Sequence, residues 1–207
     1  MVPEPVGGIL DRSTLEAAFR TASTSFDSVY GGFGDSPKFP RSHELSFLMA
    51  YSSRTKNEQA LKMVTETLDS LRFGGIHDHL GGGFHRYSTD AQWLVPHFEK
   101  MLYDQALLVR TYLEAYRLTG DSAYADTARD ILDYVLRDLT DPEGGFYAAE
   151  DADSEGEEGL FYVWKPEEIE KILGTETAKV FNAFYGVTPQ GNFEGAASIL
   201  NIAPIKH

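Results

Sequence analysis

Apolar residues recur at steps of three and four along most of this chain, and no stretch alternates apolar and polar residues for long. That spacing follows the 3.6-residue turn of an α-helix and leaves one buried stripe per helix. It predicts an all-α domain, with at most a short hairpin between Phe146 and Trp164. Ser13 and Glu16 fit a capping box. Leu15, Ala18, Phe19, Ala22, Phe26, Val29 and Tyr30 then mark a first helix, stopped by Gly31-Gly32. Pro37 and Pro40 bracket an extended linker. Further helices are expected from about His43 to Tyr51, from Glu58 to Leu71, from near Pro96 through Leu113, and from Asp121 to near Arg137. Pro166 suits the first position of a short helix closed by Gly174, and a last helix holds Val180, Phe181 and Phe184.

Gly-Gly-Phe recurs at Gly31, Gly82 and Gly144, at spacings of 51 and 62 residues. The intervals are too irregular for a regular solenoid. They suit helical hairpins whose loops differ in length, with each glycine pair turning the backbone and each Phe falling back onto the core. Plain helix C-caps explain any one of them equally well.

Charge narrows the partners. The chain carries 18 basic and 32 acidic residues, a net −14. Nucleic acid needs clustered Lys and Arg, so it is not an expected partner, and neither is an anionic membrane. No cysteine is present, which excludes disulfide, thiolate and CxxC chemistry within the chain. The first residues do not form a signal peptide, and no apolar run approaches the roughly 18 residues of a membrane span. These features lead to an expected cytoplasmic location.

The segment from Gly74 to Asp104 concentrates chemistry. Four of the six histidines (His77, His79, His85, His97) lie there with Asp78, Arg86, Asp90, Trp93, Glu99, Lys100 and Asp104. Histidine–carboxylate pairs serve proton transfer because their pKa values can be tuned near neutrality. A helix beginning at Pro96 would set His97, Lys100 and Asp104 on neighbouring stripes near its loop end. His77-x-His79 lacks a third zinc ligand, so no metal is expected. A second candidate is the acidic run Glu150 to Gly159. It opens like an EF-hand loop at Asp151, Asp153, Glu155 and Gly156, but its twelfth position is Tyr162 rather than glutamate. A solvated acidic loop and a carboxylate pair for acid–base work both remain open there. No phosphate loop or nucleophile elbow occurs, and no cofactor is expected.

The run GGIHDHLGGGFHRYSTDAQWLVPHFEKMLYDQALL closely resembles a signature of the thioredoxin-domain-containing family related to spermatogenesis-associated protein 20. FDSVYGGFGDSPKFP and AEDADSEGEEGLFYVW are similar to two further signatures, so the resemblance covers about residues 26 to 195. It implies an (α/α) toroid of helical hairpins, like N-acylglucosamine 2-epimerases and six-hairpin glycosidases, preceded by a thioredoxin-like domain. About seven helices are expected here, fewer than six hairpins require, and no thioredoxin-like domain is expected within residues 1–207. Residues 1–207 therefore read as a single incomplete toroid segment. The family motifs coincide with Asp78, His85, Arg86, Trp93, His97, Glu99, Lys100, Asp104, Glu150, Asp151 and Asp153.

Two functions follow from the resemblance. In one, the domain is carbohydrate-active and related to sugar epimerases or glycosidases, and it is inactive alone because it is truncated. His85 or His97 would then exchange a proton, with Asp151 or Asp153 as partner. Asp78, Arg86, Glu99, Lys100, Asp104 and Glu150 would hold a saccharide, and Trp93 would stack on it. In the other, the domain is a non-catalytic binding or scaffold unit for the thioredoxin-like domain of its parent. The missing toroid half is an expected partner, and the exposed edge is expected to promote self-association.

Overall fold

A computed structural model describes residues 12–202. Seven α-helices lie among them: α1 (Arg12–Ser25), α2 (Ser42–Thr55), α3 (Glu58–Phe73), α4 (Leu102–Thr119), α5 (Ser122–Asp138), α6 (Pro166–Leu173) and α7 (Thr175–Tyr185). Successive helices pack as pairs, α2 on α3, α4 on α5 and α6 on α7. Helix α4 also lies against α2, which joins the first two hairpins, and α1 rests on α2 and α3.

Local chemistry sets several helix starts. The Asn57 side chain accepts the Ala60 N–H at 2.9 Å, and Asp121 accepts the Ala123 N–H at 3.0 Å. Pro166 occupies the first helical position of α6, where Glu168 reaches back to accept the Lys165 N–H at 2.8 Å.

The main core sits between the first two hairpins. Leu45, Leu48 and Met49 of α2 meet Val64, Leu68 and Leu71 of α3, together with Leu108 and Tyr112 of α4 and Ile131 of α5. Each such burial is worth roughly 1.5–3 kcal/mol. A second cluster under α6 and α7 is built on Ile169, Ala178, Val187 and Leu200. A third gathers Phe98, Ala152 and Ile199 beneath the loops.

Those loops contain four antiparallel ladders of two residues per strand. Strand β1 (Tyr87–Ser88) pairs with β2 (Pro96–His97), and β3 (Lys100–Met101) with β4 (Ala149–Glu150). Strand β5 (Asp153–Ser154) pairs with β6 (Glu157–Glu158), and β7 (Val163–Trp164) with β8 (Ser198–Ile199). The hairpin expected between Phe146 and Trp164 is β5–β6. Its two turn residues, Glu155 (φ 55°) and Gly156 (φ 86°), are both left-handed, as a type I′ turn requires. The run from Leu160 to Trp164 opens as a 3₁₀ turn and becomes extended only at Val163.

Three expectations are corrected. Helix α1 includes Ser13 and ends at Ser25, so Ser13 is not its cap, and Val29 and Tyr30 lie beyond it and are exposed. The Asp27 carboxylate stops the helix by accepting the N–H groups of Val29 and Tyr30 at 2.9 and 3.0 Å. Helix α4 starts at Leu102 rather than near Pro96, because residues 96–101 are extended and pair with two other segments. The Gly-Gly-Phe repeat is a recurring turn. Phe33, Phe84 and Phe146 each form a β-bridge to a residue six or seven positions earlier, namely Phe26, His77 and Thr140. Phe33 and Phe84 are buried, but Phe146 is 58% exposed, so only two of the three aromatics reach the core.

Candidate functional site

A cavity of about 1000 Å³ opens between the Gly74–Gly82 loop, the end of α5, the acidic loop and α6. Its chemistry depends on register. Tyr87 lies opposite His97, yet the Arg86 N–H donates to the Glu99 carbonyl at 2.8 Å. The pairing has slipped by one residue, which makes Phe98 the extra residue of a β-bulge. Continuing the slipped register sets His85 opposite Lys100. Lys100 in turn pairs with Glu150 across β3–β4. Three extended segments thus bring His85, Lys100 and Glu150 to the cavity wall. Arg86 and Glu99, opposite each other on the alternate face, form an ion pair at 2.9 Å.

Lys100 is fully buried. Its ammonium donates to Asp78 Oδ2 at 2.7 Å and to the Gly82 carbonyl at 3.0 Å, and lies 4.2 and 4.9 Å from the ring centres of Tyr134 and Tyr162. Asp78 Oδ1 also accepts the N–H groups of Leu80 and Gly81. Burial alone would raise the Asp78 pKa, but the Lys100 charge and these hydrogen bonds outweigh it and bring it down to about 2. Tyr134 and Tyr162 each donate a hydroxyl to one oxygen of Glu150, both at 2.7 Å. Burial and those bonds push both phenol pKa values up.

His85 is buried against Phe98 and Tyr162. Its Nδ1 lies 2.9 Å from the Phe98 carbonyl, which can only accept, so Nδ1 carries the proton. Burial and the nearby Lys100 charge push its pKa down to about 3. The ring is therefore neutral near pH 7, and its Nε2 is an acceptor with no hydrogen-bond partner among the described residues. His79 is likewise held down to about 4 by burial and by His77, with Nε2 near the Gly74 carbonyl at 2.9 Å. His77 turns its Nε2 to Asp130 at 2.9 Å instead.

Close backbone approach makes this packing feasible. A Cβ on Gly83 would stand 2.5 Å from the Tyr134 ring, and one on Gly159 would stand 2.4 Å from the Phe98 ring. Both glycines also have positive φ, which side chains disfavour.

The remaining expected residues divide among other places. His97, expected on a helix, is in β2, where Nδ1 meets Glu158 at 2.7 Å and the ring stacks on Tyr87. With Arg86 and Glu99 it forms a separate polar cluster outside the cavity lining. Asp104 lies in the first turn of α4 near Arg86 and Glu99. Its Oδ2 is buried without a partner, and burial raises its pKa to about 6. Asp151 and Asp153 are exposed and absent from the cavity wall, with Asp153 in the β5–β6 hairpin. Trp93 is not a stacking wall. It is fully buried in the main core, and its Nε1 donates to the Tyr30 and Gly31 carbonyls at 3.1 and 3.3 Å.

Sequence reasoning missed the aromatic lining: Tyr134, Tyr147, Tyr162 and Trp164. Tyr162 and Trp164 are two apart in the run after the acidic loop, and that alternation was the available signal. Tyr134 was hidden within the apolar stripe of α5.

No family model matches the chain. Spermatogenesis-associated protein 20 of Homo sapiens is 46% identical to it over 193 residues, which is 84% of this chain. The chain belongs to the spermatogenesis-associated protein 20 family. It spans 25% of that human relative and 21% of the mouse one, about a quarter of the length of the curated relatives it matches. Among solved structures, cellobiose 2-epimerase from Bacillus thermoamylovorans superposes with a TM-score of 0.60 at 16% identity, covering 84% of this chain and 55% of that one. A sugar epimerase from a ruminal bacterium gives 0.60 at 15%, covering 81% and 51%. At these identities the likeness is one of fold. This member of the spermatogenesis-associated protein 20 family is a partial (α/α) toroid of helical hairpins, an architecture it shares with carbohydrate-active proteins. No helix among the described residues is long and apolar enough to cross a membrane.

Proposed function

We propose that the cavity beside His85, Lys100 and Glu150 binds a saccharide, and that the full-length protein carrying this chain is carbohydrate-active in the manner of a sugar epimerase or glycosidase. The observation that carries this reading is the combination on one wall of a neutral imidazole with a free acceptor nitrogen and a carboxylate fixed by two phenols. Such a wall accepts sugar hydroxyls, while Tyr134, Tyr162 and Trp164 offer apolar faces to a pyranose ring. His85 would take or return a proton through Nε2. Glu150 would hold a hydroxyl and stabilise positive charge that develops nearby. Arg86, His97, Glu99 and Asp104 stand outside this cavity, and exposed Asp151 and Asp153 belong to its rim at most.

The reading places the protein in the cytoplasm and gives the rest of the toroid as a partner. Leu136, Ile172, Val180 and Phe184 are all more than half exposed, which suits helices that pack on further hairpins or on a second copy. The chain alone is then expected to self-associate and to lack turnover.

Calorimetric titration of the full-length protein with neutral monosaccharides and disaccharides tests the proposal. Saturable binding that is lost in His85→Ala and Glu150→Ala, both still folded by circular dichroism, is the expected result. The second reading is a non-catalytic scaffold for a thioredoxin-like domain in the parent. It is favoured by the internal satisfaction of the cavity's charged groups, with Lys100 spent on Asp78 and Glu150 on two tyrosines. Absence of saccharide binding in the full-length protein would select that reading.

A further inference from the structure

The charges lining the cavity narrow the class of sugar it takes. Two permanent cations reach it, Lys100 and Arg137. Neither is free. Lys100 gives its N–H groups to Asp78 and the Gly82 carbonyl, and two phenol rings cover the ammonium. Arg137 is joined to Asp138 and the Gly81 carbonyl. The lining histidines supply no compensating charge: His79 and His85 are neutral, and His77 faces Asp130 at 2.9 Å.

Four carboxylates line the same cavity: Asp78, Asp138, Glu150 and Glu168. Lys100 and Arg137 match the first two. Glu150 receives only neutral phenol donors, and Glu168 receives only the Lys165 N–H. Two negative charges are left over, Glu150 half-buried beside two phenol rings, where it is screened less than in bulk water, and Glu168 exposed at the cavity wall. A phosphate ester or a uronate would enter against both, with no unpaired Lys or Arg among the described lining residues to receive it.

Resting on the saccharide reading above, we infer that this cavity selects uncharged sugars and rejects phosphorylated or carboxylated ones. Glu150 holds a hydroxyl of the right ligand, whereas Glu168 adds to the selectivity only by repulsion of the wrong one.

Binding is measured in the full-length protein at fixed ionic strength with four probes: cellobiose, N-acetylglucosamine, glucose 6-phosphate and glucuronic acid. The neutral probes are expected to bind at least about tenfold more tightly than the anionic ones, with the gap narrowing as salt is raised. Glu168→Gln is expected to narrow the gap by improving anion binding while leaving neutral-sugar affinity within about threefold. A thermal melt of each variant confirms that it is folded. If the anionic probes bind as well as or better than the neutral ones, the charge inference is overturned and the saccharide reading survives. If no probe binds, the saccharide reading itself fails and takes this inference with it.

Discussion

Replacing Lys100 with methionine keeps the length and apolar stem of the side chain but removes the charge from a fully buried position. Asp78, whose side chain is only 11% exposed, would then lose its counter-ion. Two routes give the cost. The Asp78 pKa is lowered from 3.8 to about 2 in the folded state. At about 1.36 kcal/mol per unit, that shift corresponds to roughly 2.5 kcal/mol of stability at neutral pH. Without Lys100 the largest opposing contribution vanishes and only the Leu80 and Gly81 N–H groups still offset burial, so the loss is at least about that size. Mutational experience with broken buried pairs gives about 3–5 kcal/mol. The two routes agree, and such a loss takes a large share of a typical net stability of about 5–15 kcal/mol. The pH dependence follows from the same shift. A depressed carboxyl pKa contributes stability that is complete above pH 3.8 and is lost as pH falls through about 2. Urea unfolding at pH 7, repeated down to pH 2, should therefore show Lys100→Met about 3–5 kcal/mol less stable at neutrality and converging on the wild type in acid. The double variant Lys100→Met with Asp78→Asn should cost much less than the sum of the single changes, since it strands no charge. A neutral-pH cost under about 1 kcal/mol, or additive single changes, would refute the claim that this pair organises the cavity wall.

Trp93→Ala should cost about 3–5 kcal/mol in urea unfolding, as expected for a large core residue, and it should leave saccharide affinity unchanged at temperatures where the protein is folded. Gly120→Ala should cost only the left-handed backbone penalty of about 1–2 kcal/mol, because nothing lies within 4 Å of its added Cβ. Gly83→Ala should add roughly 1–3 kcal/mol of overpacking against Tyr134, which thermal melts of the two variants would resolve. Folded Asp104 titrates near 6, above its ordinary 3.8, so it subtracts stability as pH rises through that window. Asp104→Asn should therefore stabilise the protein by roughly 1–3 kcal/mol at pH 8 and by little near pH 4, as read from urea midpoints at both values. His79 and His85 act in the opposite direction, since their folded pKa values of about 4 and 3 withhold protons that the unfolded chain binds below 6.5. Their joint replacement by Gln should flatten the loss of stability between pH 6.5 and 4.

The helices were legible because their signals are local. The stripe of α3 and the Asp121 cap of α5 are each decided within a few residues, and the structure keeps them. Pro166 and Gly174 bound α6 for the same reason. The first helix was overextended because Phe26, Val29 and Tyr30 continue the spacing of three and four. A single side chain, Asp27, ends it by offering the following N–H groups an acceptor. Periodicity records only apolar residues and carries no trace of that competition.

The cavity wall was legible in its members but not in its geometry. His85, Lys100 and Glu150 were all named, yet Pro96 and the apolar residues after it read as a helix start, which would have put Lys100 one turn from His97. What overrides that reading is pairing at long range. Pro96 and His97 are held by Tyr87 and Ser88, and Lys100 and Met101 by Glu150 and Ala149, about 50 residues away in sequence. Helix formation is deferred to Leu102, and the six residues gained become the strand that crosses the site. The one-residue slip at Phe98 then decides which side chains share a face. Without it Tyr87 and His97 would set the register throughout, so Arg86 would stand opposite Phe98, and His85 opposite Glu99 rather than Lys100. His97 falls outside the cavity because it alternates with Phe98 and Lys100, which line it, and Trp93 does so because the turn between β1 and β2 buries it in the main core. The wall is a property of register, and register is fixed by partners from three separate stretches of the chain.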